Sequence, residues 1–544
     1  MFISQLSHNL SPAINFLRQT TVGGILEDKN KTLLTGAILA LIIYAIVSYV
    51  RSPWRKLPPS PRRLPILGNT YQLLDKNWLL SKDCKESFKD VMHLDAAGTP
   101  TIIFNSFNSA FDVLERHGNN YSDRPQLIMA QKFLNKGVLM SLMNYNSHCR
   151  RMRRASQAAL TKTAVRDYHS IQMKEATILT SAFLTNTSRH DWQKEFQRTA
   201  ASLIMSILYD YPTLMSLHDD SMKGIETYNN RVSHAVVLGN FFVELFPWMM
   251  YIPERFAKWK REGLKHGDEH YELFRGLLNR VKVDLASGGT RPSFSASLLQ
   301  ENDRNNLTEL EMSFLAGLMY SGGAETTVTT LIWWTLAMIV FPDVQRRAQA
   351  ELDAVVGRSR LPTFADAPHL PYVRAIVKEI LRWRPTLPLG VPHVASEDGW
   401  YEGMFIPKGT MCMANMWHCN HDREVFGDDA DNFRPERFLD EKGEVILGST
   451  EANQEGHITF GFGRRACPGK HLANDALFID IARILWAINI ERGRDENGNE
   501  LPLDTESFAD LGVFIRPKPF DCKFSPRFPE VLSILAEERE RCGV

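Results

Sequence analysis

From Thr32 to Val50 the chain reads TLLTGAILALIIYAIVSYV, 19 residues without a charge, bounded by Lys31 and Arg51. An amphipathic helix would leave a polar stripe, and this run has none. At about 1.5 Å per residue it reaches about 30 Å, the thickness of one hydrocarbon core. The pattern predicts a transmembrane anchor over 32–50. A cleaved signal peptide fits less well, because the run starts late, exceeds a usual apolar core and lacks a small-residue cleavage site. Five Lys or Arg follow in 51–63 (Arg51, Arg55, Lys56, Arg62, Arg63) against three in 1–31. That asymmetry predicts a short luminal segment over 1–31 and a cytosolic body. Closely spaced prolines in LPPSPRRLP make 51–65 a basic, stiff hinge, and 66–544 read as one large body.

Within that body, apolar positions at helical spacing predict a long helix over 308–340, opened by a Thr308–Glu311 capping box. Pro342 starts another helix to about 356, and a third covers about 372–384. From Pro388 the pattern changes to short β-like runs with turns, at Trp400 to Gly403 and Ile406 to Thr410. The expectation is a mainly α protein with a smaller β portion.

Composition changes this picture little. With 63 basic and 63 acidic residues the chain has no net pull toward nucleic acid, and no basic run supplies a local one. Seven cysteines, at 84, 149, 412, 419, 467, 522 and 542, include no CxxC pair. A disulfide framework or cysteine-rich zinc site is not expected, and a reducing, cytosol-facing environment fits.

Three short patterns carry chemistry. GGAETT at 322–327 puts two glycines inside a predicted helix, each costing about 1 kcal/mol relative to alanine. They permit a flat ligand, a local break in the helix ladder, and a Thr326 hydroxyl turned outward beside Glu325. A small-residue crossing against another helix is the equal alternative. Glu379 and Arg382 share a helix face, but the chain repeats this spacing at Glu195, Glu272, Glu301, Glu491 and Glu538, so only context can distinguish it. The sharpest pattern is FGFGRRACPG at 460–469, which sets Cys467 between an arginine-rich turn and a helix start. Such surroundings suit a stabilised thiolate, and a single-thiolate cofactor such as haem matches better than zinc.

Together these segments resemble a cytochrome P-450 over nearly the whole chain. Phe460, Gly463, Arg465, Cys467 and Gly469 fit the family's FxxGxRxCxG signature, Glu379 and Arg382 its ExxR, and Pro435 to Phe438 brings the companion Arg437. Gly323, Glu325 and Thr326 fit its oxygen-activation motif. The texture from Pro388 to Phe438 resembles fungal microsomal members of secondary metabolism, such as O-methylsterigmatocystin oxidoreductase-like and basidiomycete enzymes.

The resemblance implies a P-450 fold with haem b and Cys467 as axial and metal ligand. It implies Arg465, His393 and Arg153 on the propionates with Arg124 in support, and Thr326 and Glu325 in proton delivery. Glu379, Arg382 and Arg437 would form a buried ion network that holds the Cys467 loop. The implied enzyme is an endoplasmic-reticulum monooxygenase, fed with electrons from NADPH through a flavoprotein reductase and acting on a lipophilic metabolite, a terpenoid ahead of an indole or polyketide. A haem-thiolate isomerase or dehydratase, or a non-enzymatic haem protein, are the alternatives. One departure stands out: where the family often carries a propionate-binding Trp, four residues before Arg153, this chain has Cys149. Expected substrate walls are 126–144, parts of 200–250, Leu315 to Gly322, Leu387 to Val391 and Leu511 to Phe514. The aromatic stretch at 241–250 is read equally as substrate contact or as a segment packed on the body or dipped in the membrane.

Overall fold

The structure, a computed structural model, describes residues 29–185, 191–216, 220–237, 239–289, 292–446 and 455–544. The expected luminal segment therefore lies almost wholly outside the described residues. In chain order the longer helices are α1 (Lys29–Arg51), α2 (Ser147–Ala158), α3 (His169–Thr185), α4 (Trp192–Tyr209), α5 (Asp220–Val236), α6 (Lys258–Ala286), α7 (Glu309–Val340), α8 (Pro342–Val355), α9 (Pro371–Trp383), α10 (Lys470–Ala487) and α11 (Val531–Arg541). The strands are β1 (Val91–Ala96), β2 (Thr99–Phe104), β3 (His393–Val394), β4 (Gly399–Tyr401), β5 (Met404–Ile406), β6 (Met411–Ala414), β7 (Ile488–Arg492), β8 (Phe508–Asp510), β9 (Ile515–Pro517) and β10 (Cys522–Pro526).

Two compact units result. The first comprises the chain to Leu57 together with Trp400–Phe405. Its helix α1 runs slightly beyond the expected 32–50, and residues 36–51 are exposed on every side. Its length and apolar composition make it a candidate membrane span. Beyond it Trp54 packs edge-on against Phe405, their rings 6.2 Å apart, and Lys56 lies over Trp400.

The second unit holds Pro58–Gly399 and Ile406–Val544. Its centre is α7, whose Thr308 and Glu311 form the expected capping box. Apolar residues cover α7 all round because α4, α6, α9 and α10 surround it, and Leu315, Trp334 and Leu336 are fully buried. The helix stays continuous through Gly322 and Gly323, so no break in the ladder forms there. Small residues alone do not open a helix whose neighbours clamp both ends of the stretch. At Phe341–Pro342 the chain turns by 101° into α8.

The small β portion forms a four-stranded sheet in the order β1-β2-β6-β3, with β2 and β6 parallel and the outer pairs antiparallel. Two-stranded pieces β7–β10, β4–β5 and β8–β9 complete it. The proline-rich segment is more than a spacer on its C-terminal side: Leu64 and Gly68 exchange backbone hydrogen bonds, and the His93 amide donates to Pro59. The end of the chain is docked too, since β10 pairs with β7 while Val531 and Leu535 of α11 are buried.

Candidate active site

Cys467 sits at the end of a loop that only glycines can trace. Gly461 and Gly463 have φ of 76° and 47°, and a Cβ on Gly463 would meet the Leu114 carbonyl at 3.3 Å. The Cys467 amide donates to the Phe460 carbonyl at 2.8 Å, which folds the loop back and turns the thiol inward. The Gly463 amide is taken by the Glu115 carboxylate, a partner nothing in the motif announces. Beyond Gly469, α10 begins, and the Gly469 amide at its N-cap bonds the sulfur. The thiol presents open surface although it lies deep in the body. Burial pushes its pKa up; the Gly469 amide and the charges of Arg153 and Lys470 oppose that. Among the described residues no cluster of three His, Cys, Asp or Glu side chains surrounds it, so any ion held here would be held by one thiolate.

The loop is braced from behind. Glu379 and Arg382 on α9 are fully buried and paired twice, Nε to Oε2 at 2.7 Å and Nη2 to Oε1 at 2.8 Å. Arg437 Nε adds 3.0 Å to the same carboxylate, and the Arg434 amide 2.7 Å. Arg382 also donates to the carbonyls of Asn420, Ala430 and Asn432. Asn420 then reaches the loop through its side chain, bonding Thr459 Oγ1 and the Ile458 amide just before Phe460. Glu272–Arg275 and Glu538–Arg541, at the same spacing, are surface pairs. Glu195–Arg198 is an intermediate case, because Arg198 is buried with Glu175.

Beside the thiol lies a cluster of buried cations. Arg124 donates to the Ser141, Val391 and Pro392 carbonyls, Arg153 to the Ala466 carbonyl at 2.7 Å, and Arg465 to those of Ser122, Met140 and Met143. Among the described residues no carboxylate pairs with any of the three. Burial lowers the pKa of each; Arg465 and Arg153 add to this at Arg124 and Arg153 adds to it at Arg465, where nearby Asp123 opposes it. His393 Nδ1 lies 2.6 Å from the Tyr121 carbonyl, which can only accept, so that nitrogen carries the proton. Burial first, then Arg124 and Arg465, keep its pKa well below the ordinary range and the ring neutral. Cys149 is fully buried, and its sulfur accepts from Arg465 Nη1 at 3.1 Å. Three buried guanidiniums without a counter-ion call for a ligand that brings at least two negative charges.

On helix α7 the two glycines divide the two roles left open above. A Cβ on Gly323 would strike Ile204 of α4 at 2.7 Å, which is the small-residue crossing. A Cβ on Gly322 would meet nothing within 4 Å, so that residue leaves open space. Thr326 donates its hydroxyl to the Gly322 carbonyl at 2.7 Å instead of turning outward. Glu325 is ion-paired with Arg516 of β9, whose Nε also reaches Thr329 Oγ1 at 3.1 Å. Arg516 lies nearly 200 residues away in sequence and carries no local motif.

Several expected wall segments meet in one apolar cluster. Leu127 to Ala130, Phe133, Leu134, Leu139 and Leu142 pack with Ala235 and Val243, and with Phe241, Met249, Met250, Leu318 and Val391 at its margin. Leu511 is exposed, but the turn it opens reaches the residue just after α5, where a Cβ on Gly512 would touch Val237 at 3.1 Å. The 241–250 stretch is split: Phe241, Met249 and Met250 face the cluster, while Phe242, Phe246 and Trp248 are exposed.

Comparison with known proteins gives this arrangement its family. The sequence profile of Cytochrome P450 matches residues 58–524. A cytochrome P450 monooxygenase of Armillaria gallica is 48% identical over 93% of this chain and 96% of its own length. The chain belongs to the cytochrome P450 family. A cytochrome P450 monooxygenase of Postia placenta is 45% identical over 92% of this chain and 94% of its own, and one of Amanita muscaria 36% over 94% and 98%. A zebra fish cytochrome P450 structure with abiraterone superposes with a TM-score of 0.65, covering 83% of this chain and 99% of that one at 23% identity, which shows the shared fold. The relatives are monooxygenases, and the family carries haem on a cysteine thiolate with electrons from NADPH through a reductase. Haem fits the residues present: its two carboxylates answer the unpaired Arg124, Arg153 and Arg465, Gly322 leaves room for a flat ring, and one accessible thiol stands beside the arginines.

Proposed function

We propose that this P450 is a haem-thiolate monooxygenase of fungal secondary metabolism that places one oxygen atom from O2 into a lipophilic small molecule. The observation that carries the reading is the Cys467 thiol beside three buried arginines that lack a protein counter-ion. Bound there, haem supplies the activation of O2. Cys467 would hold the haem iron through its thiolate, and the Gly469 amide and α10 start would steady the charge on Sγ against the burial that favours the thiol. Arg124, Arg153 and Arg465 take the propionates, with Arg the better fork for carboxylate. His393 joins them from Nε2 only when a carboxylate draws it into the charged form. Cys149 replaces a ring N–H with a soft acceptor, so it occupies one Arg465 donor instead of adding a propionate bond. Glu379, Arg382 and Arg437 hold the loop and do no chemistry.

On the oxygen side, Thr326 exchanges its bond to Gly322 for a hydrogen bond donated toward the haem face. Glu325 supplies protons to that hydroxyl once Arg516 yields its carboxylate. A hydroxyl beside a carboxylate, each able to pass a proton once it leaves its present partner, favours oxygen activation over isomerase or dehydratase chemistry, which has no use for it. The apolar cluster over Leu127 to Leu142 and Val243 favours a hydrocarbon-rich substrate, a terpenoid ahead of an indole or polyketide. Helix α1 anchors the chain in the endoplasmic reticulum, with the 51–65 hinge and catalytic body in the cytosol, and exposed Phe242, Phe246 and Trp248 favour substrate entry from lipid. Arg150 and Arg464 are exposed and both lie over the Tyr145 ring, Arg464 within the Cys467 loop itself. That cationic surface suits an acidic flavoprotein reductase. The test is turnover of a terpenoid panel by the membrane-bound chain with reductase and 18O2. One labelled oxygen per product, dependent on NADPH, is expected; product formed without reductase, or without label, would overturn the reading.

A further inference from the structure

Two wall segments far apart in sequence are joined by a single carboxylate. Residues 129–134 form one wide, π-type helical turn whose first amides have no local side-chain cap, because Ile128 stands at the capping position. Glu244 supplies the cap from the other segment: Oε2 accepts from the Ile128 amide and Oε1 from the Met129 amide, each at 2.7 Å. Glu244 follows the buried Val243 and is flanked by exposed Phe242, Leu245 and Phe246. Burial raises the Glu244 pKa, and the two amides, which favour the charged form, oppose this.

The opposite side of the 129–134 turn is fixed differently. It rests on a glycine face of α6, where a Cβ on Gly267 would overlap the Phe133 carbonyl at 2.1 Å and one on Gly263 would meet Met129 Sδ at 3.0 Å. Tyr228 holds Asn135 at 2.8 Å, and Lys136 pairs with Asp268. The 241–250 segment has fewer ties to the turn: beside Glu244 there is a long contact from Lys132 Nζ to Met250 Sδ at 3.8 Å and the apolar packing of the cluster. Lys260 secures the Met250 and Ile252 carbonyls to α6. So the 129–134 turn is seated firmly, the far end of the 241–250 segment is tied down, and among the described residues the two bonds to Glu244 are the short polar join between them, beside the Lys132–Met250 contact and the apolar packing. Apolar packing can slide; two charge-assisted bonds to adjacent amides fix register and closure.

We infer that Glu244 is a latch that closes the 241–250 segment on the 127–134 wall and so sets the size of ligand admitted to the site. This rests on the reading of those segments as substrate wall. Opening requires both amides to be released together, whereas a ligand small enough to pass the closed cluster needs no release. Glu244 is thus a positioning residue for access, without a part in the chemistry.

Full-length holoprotein and its Glu244→Gln and Glu244→Ala variants are compared in two ways. Deuterium exchange reads the amides of Ile128 and Met129, and stopped flow at the Soret band reads association of clotrimazole and of imidazole. Loss of charge-assisted bonds should speed exchange at the two amides by about tenfold or more, leaving amides in α7 unchanged. Association of clotrimazole should accelerate by about the same factor, and that of imidazole should not. Unchanged exchange at 128–129 would overturn the latch itself. Faster exchange with unchanged clotrimazole association would overturn its control of access. A global rise in exchange in both variants would assign Glu244 to stability alone and also overturn the proposal. Failure of the haem reading is separate, because it would appear as absence of a Soret band in the unsubstituted chain while the amide result still stood.

Discussion

The thiol side and the substrate side of this site are built by opposite means. Behind Cys467 nearly every group has one fixed partner: the Phe460 carbonyl, the Glu115 carboxylate, the Asn420 side chain, and the fully buried Glu379–Arg382 pair behind them. Facing it, contacts are apolar and replaceable, and Thr326 and Glu325 are held by partners they would have to leave. The difference follows from what each side does. A ligand atom must sit within a few tenths of an ångström to coordinate a metal, and only directional bonds hold a loop that closely. A wall that admits an apolar molecule needs area and give, which hydrophobic packing supplies without register.

The sharpest way to break this contrast is to remove a partner on the rigid side. Arg382→Ala leaves the buried Glu379 with Arg437 as its remaining cation and three carbonyls without their donor, at a cost of about 3–5 kcal/mol. The expected result is loss of holoprotein, read as soluble haem per chain. A variant that keeps full haem loading would show the network to be dispensable. Arg153→Ala removes one of the three unpaired cations, and weaker haem retention by about 1.5–3 kcal/mol is expected, read as the rate of haem transfer to apomyoglobin. Unchanged retention would mean that the carboxylates lie elsewhere.

Those two predictions rest on parts of the chain that were legible in advance. The Cys467 loop declared itself because positive φ at Gly461 and Gly463 forces glycine, and because a buried thiol beside arginines has few other uses. The capping box at Thr308 and Glu311 and the turn at Pro342 were equally local, and both stand. Glu379 could be told from its five look-alikes only by burial, which no single segment encodes. Arg516, Glu115 and Glu244 were not legible for a related reason: each acts on a segment more than 100 residues away, and no spacing rule reaches that far. The GGAETT stretch permitted a broken helix, but neighbours on both sides keep α7 intact and leave Gly322 alone to open space. The walls could be listed but not assembled, since Leu, Ile, Met and Phe are interchangeable in a cluster like theirs.

On the adaptable side the expected effects are smaller. Thr326→Ala should leave the haem spectrum intact but divert electrons to hydrogen peroxide, lowering product per NADPH by about tenfold, within the range for loss of a positioned proton donor. Coupling at the unsubstituted level would remove Thr326 from the reaction. The smallest effect concerns the frame both sides share. Asp480 of α10 is buried, and burial with the nearby Glu175 charge pushes its pKa up to about 8, against Arg483 and Arg198. The folded chain then binds this proton more tightly than the unfolded one, so the stability it brings at low pH is lost as pH rises toward about 8. Asp480→Asn should flatten that decline, by about 1 kcal/mol or more at pH 8, read by denaturant unfolding across pH. An unchanged slope would mean that Asp480 is already charged in the fold.

The central claim is that Cys467 holds haem as a thiolate. Reduced membranes carrying the chain, exposed to carbon monoxide, should show a Soret band at about 450 nm, the thiolate position, and Cys467→Ser should lose it. A band at about 450 nm that survives Cys467→Ser, or one at about 420 nm in the unsubstituted chain, would contradict the account.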